Sequence, residues 1–262
     1  MRRGSTRDIP APAARPAACT VVLLILLCAG GMALAGGGSP VGVDAAAAPH
    51  GSGVERHSPP TGSPFLGPAE APLTLVVFFD YQCPVCPRAA AELERLVSDL
   101  GGKVRVSLRH HPLAMHRQAM DAALAASAAQ RQGKFWEYHG RLLAAKGGFS
   151  PQAFERLAVD LGLDVGEFRR DLADPTLKQP IVADSQAAET LDAAGTPAFL
   201  LNGQVEVGWA SYERLRSLVA AEWEKIRPAI EREGRSPAEV TRLRVEQADR
   251  DRAPIILDLL QR

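Results

Sequence analysis

Cysteine, aromatic side chains, net charge and long apolar runs are all scarce in this 262-residue chain. Basic and acidic side chains balance at 30 each, so no excess charge points to nucleic acid or to an anionic membrane surface. Aromatics make up only 5% while alanine is abundant, which favours helices packed through small residues. The apolar stretch Thr20 to Ala35 holds 16 residues and includes Gly30 and Gly31. That is short of the roughly 20 residues a comfortable membrane span needs. The 46% hydrophobic share is ordinary for a soluble globular protein.

The N-terminus is the first segment that is richly patterned. Arg2, Arg3, Arg7 and Arg15 against Asp8 precede the apolar run beginning Val21-Val-Leu-Leu-Ile-Leu-Leu-Cys28, and Ala33-Leu-Ala35 follows. A basic start, a short apolar core and an A-x-A site predict a secretory signal peptide over residues 1–35, with an uncleaved anchor as the alternative. Cys28 follows Leu26-Leu27 rather than a small residue, which fits lipidation poorly. Residues 36–64 are rich in Gly, Ala, Pro and Ser and read as a flexible linker.

With the leader removed, the four cysteines become two, both in Cys83-Pro-Val-Cys86. A bridge across two residues closes almost no loop and adds little stability, so a structural staple explains the pair badly.

The folded domain is expected over residues 65–228. Leu73-Thr-Leu-Val-Val-Phe-Phe79 is a continuous apolar run, as in a strand buried on both faces. After the cysteines, Ala89, Leu93, Leu96, Val97 and Leu100 stripe one helix face, and Gly101-Gly102 ends it. Lys103-Val-Arg-Val-Ser-Leu-Arg109 alternates as a second strand, completing a strand–helix–strand unit whose natural topology is a parallel crossover. Residues 113–194 read as helical, with N-caps at Ser150, Asp164 and Asp174. Ala198-Phe-Leu-Leu201, Asn202-Gly203 and Gln204-Val-Glu-Val207 form a hairpin signal, and Ser211 caps a helix beyond it. The predicted fold is α/β, βαβ followed by ββα, with an all-helical insertion at about 113–194. Residues 229–262 are charge-rich and helix-prone, and the sequence leaves open whether they dock, bind a partner or stay loose.

Disulfide exchange needs a thiolate attacker and a second thiol near enough to resolve the mixed disulfide. Two cysteines three positions apart at a helix start meet both needs, because unpaired amides and the helix dipole favour a negative sulfur at the first position. Cys83 is the expected nucleophile and Cys86 the resolving thiol. Pro84 suits the first helical turn, whereas Pro87 predicts an irregular opening. A C-x-x-C pair also serves metal sites, but these usually need four ligands, and the histidines at 110, 111, 116 and 139 would have to supply them.

Several motifs in order resemble the DsbA-like family of exported thiol–disulfide oxidoreductases. They are Phe78-Phe-Asp-Tyr-Gln-Cys-Pro-Val-Cys86, His111-Pro-Leu with His116, Gln132-Gly-Lys-Phe-Trp-Glu-Tyr138 and Gly195-Thr-Pro-Ala-Phe-Leu-Leu-Asn-Gly203. The resemblance implies a thioredoxin-like fold with an inserted helical domain. It also implies that Pro197 is cis and faces the cysteines, with Thr196 before it, the two shaping a peptide-binding edge. Val85 stands where the strongest oxidants of this family carry His and supplies neither charge nor hydrogen bond. With Pro84 it supports the pair without further stabilising the Cys83 thiolate, which predicts a weaker oxidant. No external cofactor and no metal are expected beyond the Cys83–Cys86 disulfide. The partners implied are cysteine-containing exported proteins and a membrane redox protein that recycles the pair. The protein is expected to be a monomer in a periplasmic or extracytoplasmic location, without nucleic acid.

Other residues carry plainer expectations. His110 and His111 are candidate proton shuttles or packing histidines, and Phe135 and Trp136 are helix-core residues. Asp80 and Glu70 are candidates for a buried acid serving Cys86. The rival readings are a reductase or isomerase of the same fold, and a metal- or peptide-binding protein.

Overall fold

The computed structural model describes residues 53–145, 148–209 and 211–262. The leader expected over residues 1–35 and the linker up to residue 52 lie outside the described residues. No helix among the described residues is long and apolar enough to cross a membrane.

Six strands form one sheet in the order β1-β2-β4-β3-β5-β6. Their ranges are β1 Arg56–His57, β2 Phe65–Leu66, β3 Leu73–Phe79, β4 Val104–His110, β5 Ala198–Leu201 and β6 Gln204–Val207. Helix α1 (Cys86–Asp99) joins β3 to β4, and these two strands pair in parallel from Leu73↔Val104 to Phe79↔His110. Strand β5 runs antiparallel to β3, and β6 antiparallel to β5. The turn between them places Asn202 and Gly203 at φ 46° and 89°, the conformation that favours Asn-Gly in tight hairpins. A thioredoxin-like βαβ…ββα fold is thus present. Five helices, α2 (Ala119–Arg131), α3 (Phe135–Ala144), α4 (Pro151–Asp160), α5 (Val165–Ala173) and α6 (Pro175–Thr190), lie between β4 and β5. Ser150, Asp164 and Asp174 accept the backbone N–H groups of Ala153, Glu167 and Thr176, as their residue types predict at N-caps.

Side chains alternate across a strand, so β3 feeds two cores. Leu73, Leu75, Val77 and Phe79 join the cluster that includes Leu93, Leu96 and Val97 of α1 and Leu215 and Val219 of α7 (Tyr212–Glu231). Val76 and Phe78 face the other way, onto Leu200, Leu191 and the C-terminal residues Val245, Ile256, Leu259 and Leu260. Those residues belong to α8 (Pro237–Ala248) and α9 (Ala253–Gln261), so the tail covers the second face of the sheet.

Strand β4 explains how α9 ends. Val104, Val106 and Leu108 enter the first core, while Arg105 and Arg109 point to the opposite face. The last carbonyls of a helix lack partners within it and carry partial negative charge. Arg105 donates to the Leu260 carbonyl at 3.0 Å, Arg109 to that of Leu259 at 2.5 Å, and the Ser63 amide to that of Arg262 at 3.1 Å. Arg109 also donates to Ser63 Oγ and lies 4.0 Å from Asp184. Burial lowers the Arg109 pKa to about 10, which leaves it charged at neutral pH.

The domain starts earlier than Phe65, where the linker was expected to end. Arg56–His57 pairs with Phe65–Leu66 at the sheet edge. His57 stacks on Phe65 with ring centroids 4.3 Å apart, and Trp136 Nε1 donates to the His57 carbonyl at 3.0 Å. Gln130 donates to the carbonyls of Pro59 and Gly62 at 2.7 and 2.9 Å. A Pro- and Gly-rich segment is therefore held by side chains from α2 and α3, a long-range cause that composition does not reveal.

Candidate functional site

The parallel strands β3 and β4 end together, and the loop after β3 carries the cysteines across that rim. Its shape is set by Asp80, whose carboxylate is fully buried and accepts three donors. These are the amides of Gln82 and Leu113 at 2.7 and 2.8 Å and Nδ1 of His116 at 2.8 Å. The Asp80 carbonyl then takes the Cys83 amide, and the Cys83 carbonyl takes the Cys86 amide. Helix α1 begins at Cys86 with Val85 as its N-cap, two residues later than expected. The reason is Pro87. It has no N–H to donate, so it sits in the first turn of the helix rather than breaking a later one. Pro84 and Val85 consequently lie in the turn before the helix and are exposed.

Cys83 and Cys86 are free thiols, 5% and 0% exposed. The Cys83 thiol donates to the Thr196 carbonyl at 3.1 Å, across 113 residues of sequence. The Thr196–Pro197 bond is cis. The site therefore brings together Cys83, Cys86, Thr196 and Pro197, with Pro84 and Val85 at its outer lip. Val85 is 39% exposed.

The two sulfurs have opposite acidities. Hydrogen bonding from the Cys86 thiol, with further donors in the Thr196 side chain and the amides of Val85 and Cys86, holds Cys83 down to about 5 against the upward push of burial. The same bond to Cys83, followed by burial, pushes Cys86 well above the usual thiol range. Thr196 Oγ1 has no hydrogen-bond partner while Cys83 is a thiol aimed at the carbonyl. Once Cys83 ionises, that hydroxyl has an acceptor. Alkylation of Cys83 in the reduced protein is expected to reach half its limiting rate near pH 5, with Cys86 unreacted. Thr196→Val is expected to raise that midpoint by about one pH unit. Mass spectrometry after timed iodoacetamide quenching reads both, and an unshifted midpoint in the variant would remove Thr196 from the account.

The remaining candidates fall in different places. Glu70 is exposed on the turn before β3, at the opposite end of that strand from the cysteines, and cannot act as a buried acid for Cys86. His110 and His111 are buried, and none of their ring nitrogens has a hydrogen-bond partner. Burial lowers the pKa of His110 to about 4 and also lowers that of His111, so both are neutral packing groups at neutral pH. Phe135 is fully buried, and Trp136 packs against the core while pinning His57. Tyr81 and His139, joined by a hydrogen bond of 2.9 Å, lie in the same buried region and were not singled out as a pair from sequence. Their separation of 58 residues hides it. Among the described residues, no three His, Cys, Asp or Glu side chains converge as a metal-binding group.

A C-x-x-C dithiol at the rim of this sheet, closed by a cis-proline loop, defines the class of thioredoxin-fold dithiol proteins. Within that class the chain belongs to the DSBA-like thioredoxin domain family, whose model matches residues 74–220. It is similar to a solved thioredoxin-like oxidoreductase from Silicibacter pomeroyi DSS-3, at 33% identity and TM-score 0.54, over 62% of this chain and 92% of that one. BdbD from Bacillus subtilis shares the fold at 22% identity and TM-score 0.54, over 62% of this chain and 93% of its own. A curated relative, Na(+)/H(+) antiporter NhaA 3 from Salinispora tropica, is 38% identical over 186 residues, 71% of this chain and 28% of that protein. The chain thus spans little more than a quarter of that relative's length.

Proposed function

We propose that the chain catalyses dithiol–disulfide exchange with cysteine-containing proteins, and that its net direction is disulfide donation to exported chains. Cys83 forms the mixed disulfide and Cys86 resolves it. Pro197 and Thr196 form the edge against which the client backbone lies, and Pro84 with Val85 gives an apolar lip. The observation that carries this reading is geometric: the Cys83 thiol reaches the Thr196 carbonyl of the cis-proline loop at 3.1 Å, with Cys86 fully buried behind it, and hydrogen bonding lowers the pKa of Cys83 while raising that of Cys86. A stabilised thiolate favours the dithiol form and makes the disulfide a better oxidant. No cofactor beyond the pair is required. Turnover needs a redox partner, which we place in the membrane, and the basic and apolar N-terminus supports export beyond the cytoplasm.

The thiolate pKa of about 5 lies between values of about 7 in thioredoxin and about 3.5 in DsbA. Their potentials are about −270 and −120 mV, so equilibration with glutathione buffers is expected to give a value between the two. A potential as reducing as that of thioredoxin would reverse the direction and favour the reductase reading.

A further inference from the structure

Gln82 directly precedes the nucleophile and is held at three points. Its amide donates to the Asp80 carboxylate at 2.7 Å. Its side-chain Oε1 accepts the Gln118 amide at 2.6 Å, and its Nε2 donates to Gln118 Oε1 at 3.4 Å. Gln118 is the N-cap residue of α2, yet its side chain makes no capping bond. It turns outward instead, and its Nε2 donates to the Phe149 carbonyl at 2.5 Å. Phe149 is buried, its ring lies 5.6 Å from that of Phe154, and the next residue, Ser150, caps α4. A line of hydrogen bonds therefore runs from the residue before Cys83 to the starts of two helices of the insertion. On its other side the Cys83 thiol meets the Thr196 carbonyl at 3.1 Å. On ionising, Cys83 must give up that donation and accept donors in its place, and such bonds weaken steeply once distance or angle departs from the ideal.

We propose that Gln82 is a positioning residue for the Cys83 thiolate, and that the helical insertion, acting through Gln118, thereby sets the redox poise of the pair. Gln82 touches neither sulfur nor client. It fixes where the chain enters Cys83, and so where the sulfur stands relative to Thr196. Loss of that hold leaves the Cys83 loop tied by Asp80 alone, free to move away from the cis-proline loop. A sulfur displaced in this way keeps its reactivity as a thiol but loses part of the support for its charge. The thiolate form, and with it the dithiol state, is then less favoured. The proposal rests on the exchange reading above.

The test takes two readings on the full-length protein: the pH midpoint of Cys83 alkylation and the equilibrium constant with glutathione. Gln82→Met keeps the side chain's length and removes both of its bonds to Gln118. Its midpoint is expected to rise by about one pH unit. Its equilibrium constant should shift roughly tenfold toward the disulfide, about 30 mV. Gln118→Met retains the backbone amide that donates to Gln82, so both of its shifts should be smaller. The double variant should match Gln82→Met, because without the Gln82 side chain Gln118 has nothing to transmit. A melting temperature that falls in Gln82→Met while midpoint and constant stay unchanged overturns the proposal, and so do shifts that simply add in the double variant. Should Gln82→Met fail to fold, Gln118→Met decides, and an unmoved midpoint there counts against the proposal. Failure of the unsubstituted protein to equilibrate with glutathione at all would instead overturn the exchange reading, and the alkylation midpoints would still judge Gln82.

Discussion

Cys83→Ser is expected to reduce exchange with dithiol or disulfide proteins to the uncatalysed background, while Cys86→Ser keeps the first step and accumulates mixed disulfides. The two outcomes differ because attack and resolution are separate tasks. A serine hydroxyl at the first position offers no sulfur to form a disulfide. At the second position it leaves the Cys83 thiolate intact and removes only the group that expels the partner. Non-reducing gels and insulin-reduction or thiol-oxidation assays check both.

The acidity of Cys83 sets the limits of that prediction. Lowering its pKa from 9.0 to about 5 turns a thiolate fraction of roughly 1% at neutral pH into nearly all thiolate. Nucleophilicity falls with basicity, with a Brønsted slope of about 0.4–0.5, so most of this gain in population cancels in the attack rate. The larger benefit comes when Cys83 leaves, since a more acidic thiol departs faster. Because the Cys86 thiol is the largest cause of the depression, Cys86→Ala is expected to raise the Cys83 pKa more than Cys86→Ser, which retains a donor. Equal midpoints in the two variants would show that the amides and Thr196 suffice.

The second large effect concerns the tail. Removing residues 236–262 is expected to leave a protein that aggregates or melts far below the full chain. Val245, Ile256, Leu259 and Leu260 are each buried against Val76, Phe78 and Leu200. Burial of such side chains contributes about 1.5–3 kcal/mol each, about 6–12 kcal/mol together as an upper bound. That is comparable with the whole stability of a typical domain, about 5–15 kcal/mol. The deletion also strips Arg244 from Glu222, a buried carboxylate held at 2.9 and 3.2 Å by that guanidinium and at 3.2 Å by Asn202 in the hairpin turn. Lys225 of α7 still reaches Glu222 at 3.2 Å, so this carboxylate loses one of its two cationic partners rather than both. Calorimetry of the truncated chain decides the matter, and a melting temperature within a few degrees of the full chain would contradict this account.

What could be read from sequence followed the range of the interactions involved. The apolar run of β3, the capped helices, the Asn202-Gly203 turn and the cysteine pair are local patterns, and each lies where its pattern places it. The start of α1 shifted by two residues because Pro87 and not Pro84 occupies the first turn. Strand β4 alternates as a half-buried strand should, yet its Arg109 is buried against a helix end 150 residues away. The docking of the tail and of Arg56–His57 escaped for the same reason. Each depends on a carbonyl or ring contributed by a distant segment. In the site, Cys83, Cys86, Thr196 and Pro197 come together, whereas the Tyr81–His139 bond had no motif to announce it.

The amide of Ser63 meets the carbonyl of Arg262, so the segment between β1 and β2 runs beside the end of the last described helix. Residues 63 and 262 are thereby neighbours, and the path between them is almost a ring. A ring has no privileged starting point, so the fold rests on which segments touch rather than on the order in which they are strung. Opening the exposed turn at Gly133, where φ is 71° and a side chain would meet nothing, would cut none of the hydrogen bonds by which Asp80 and Thr196 hold the cysteine loop at the rim.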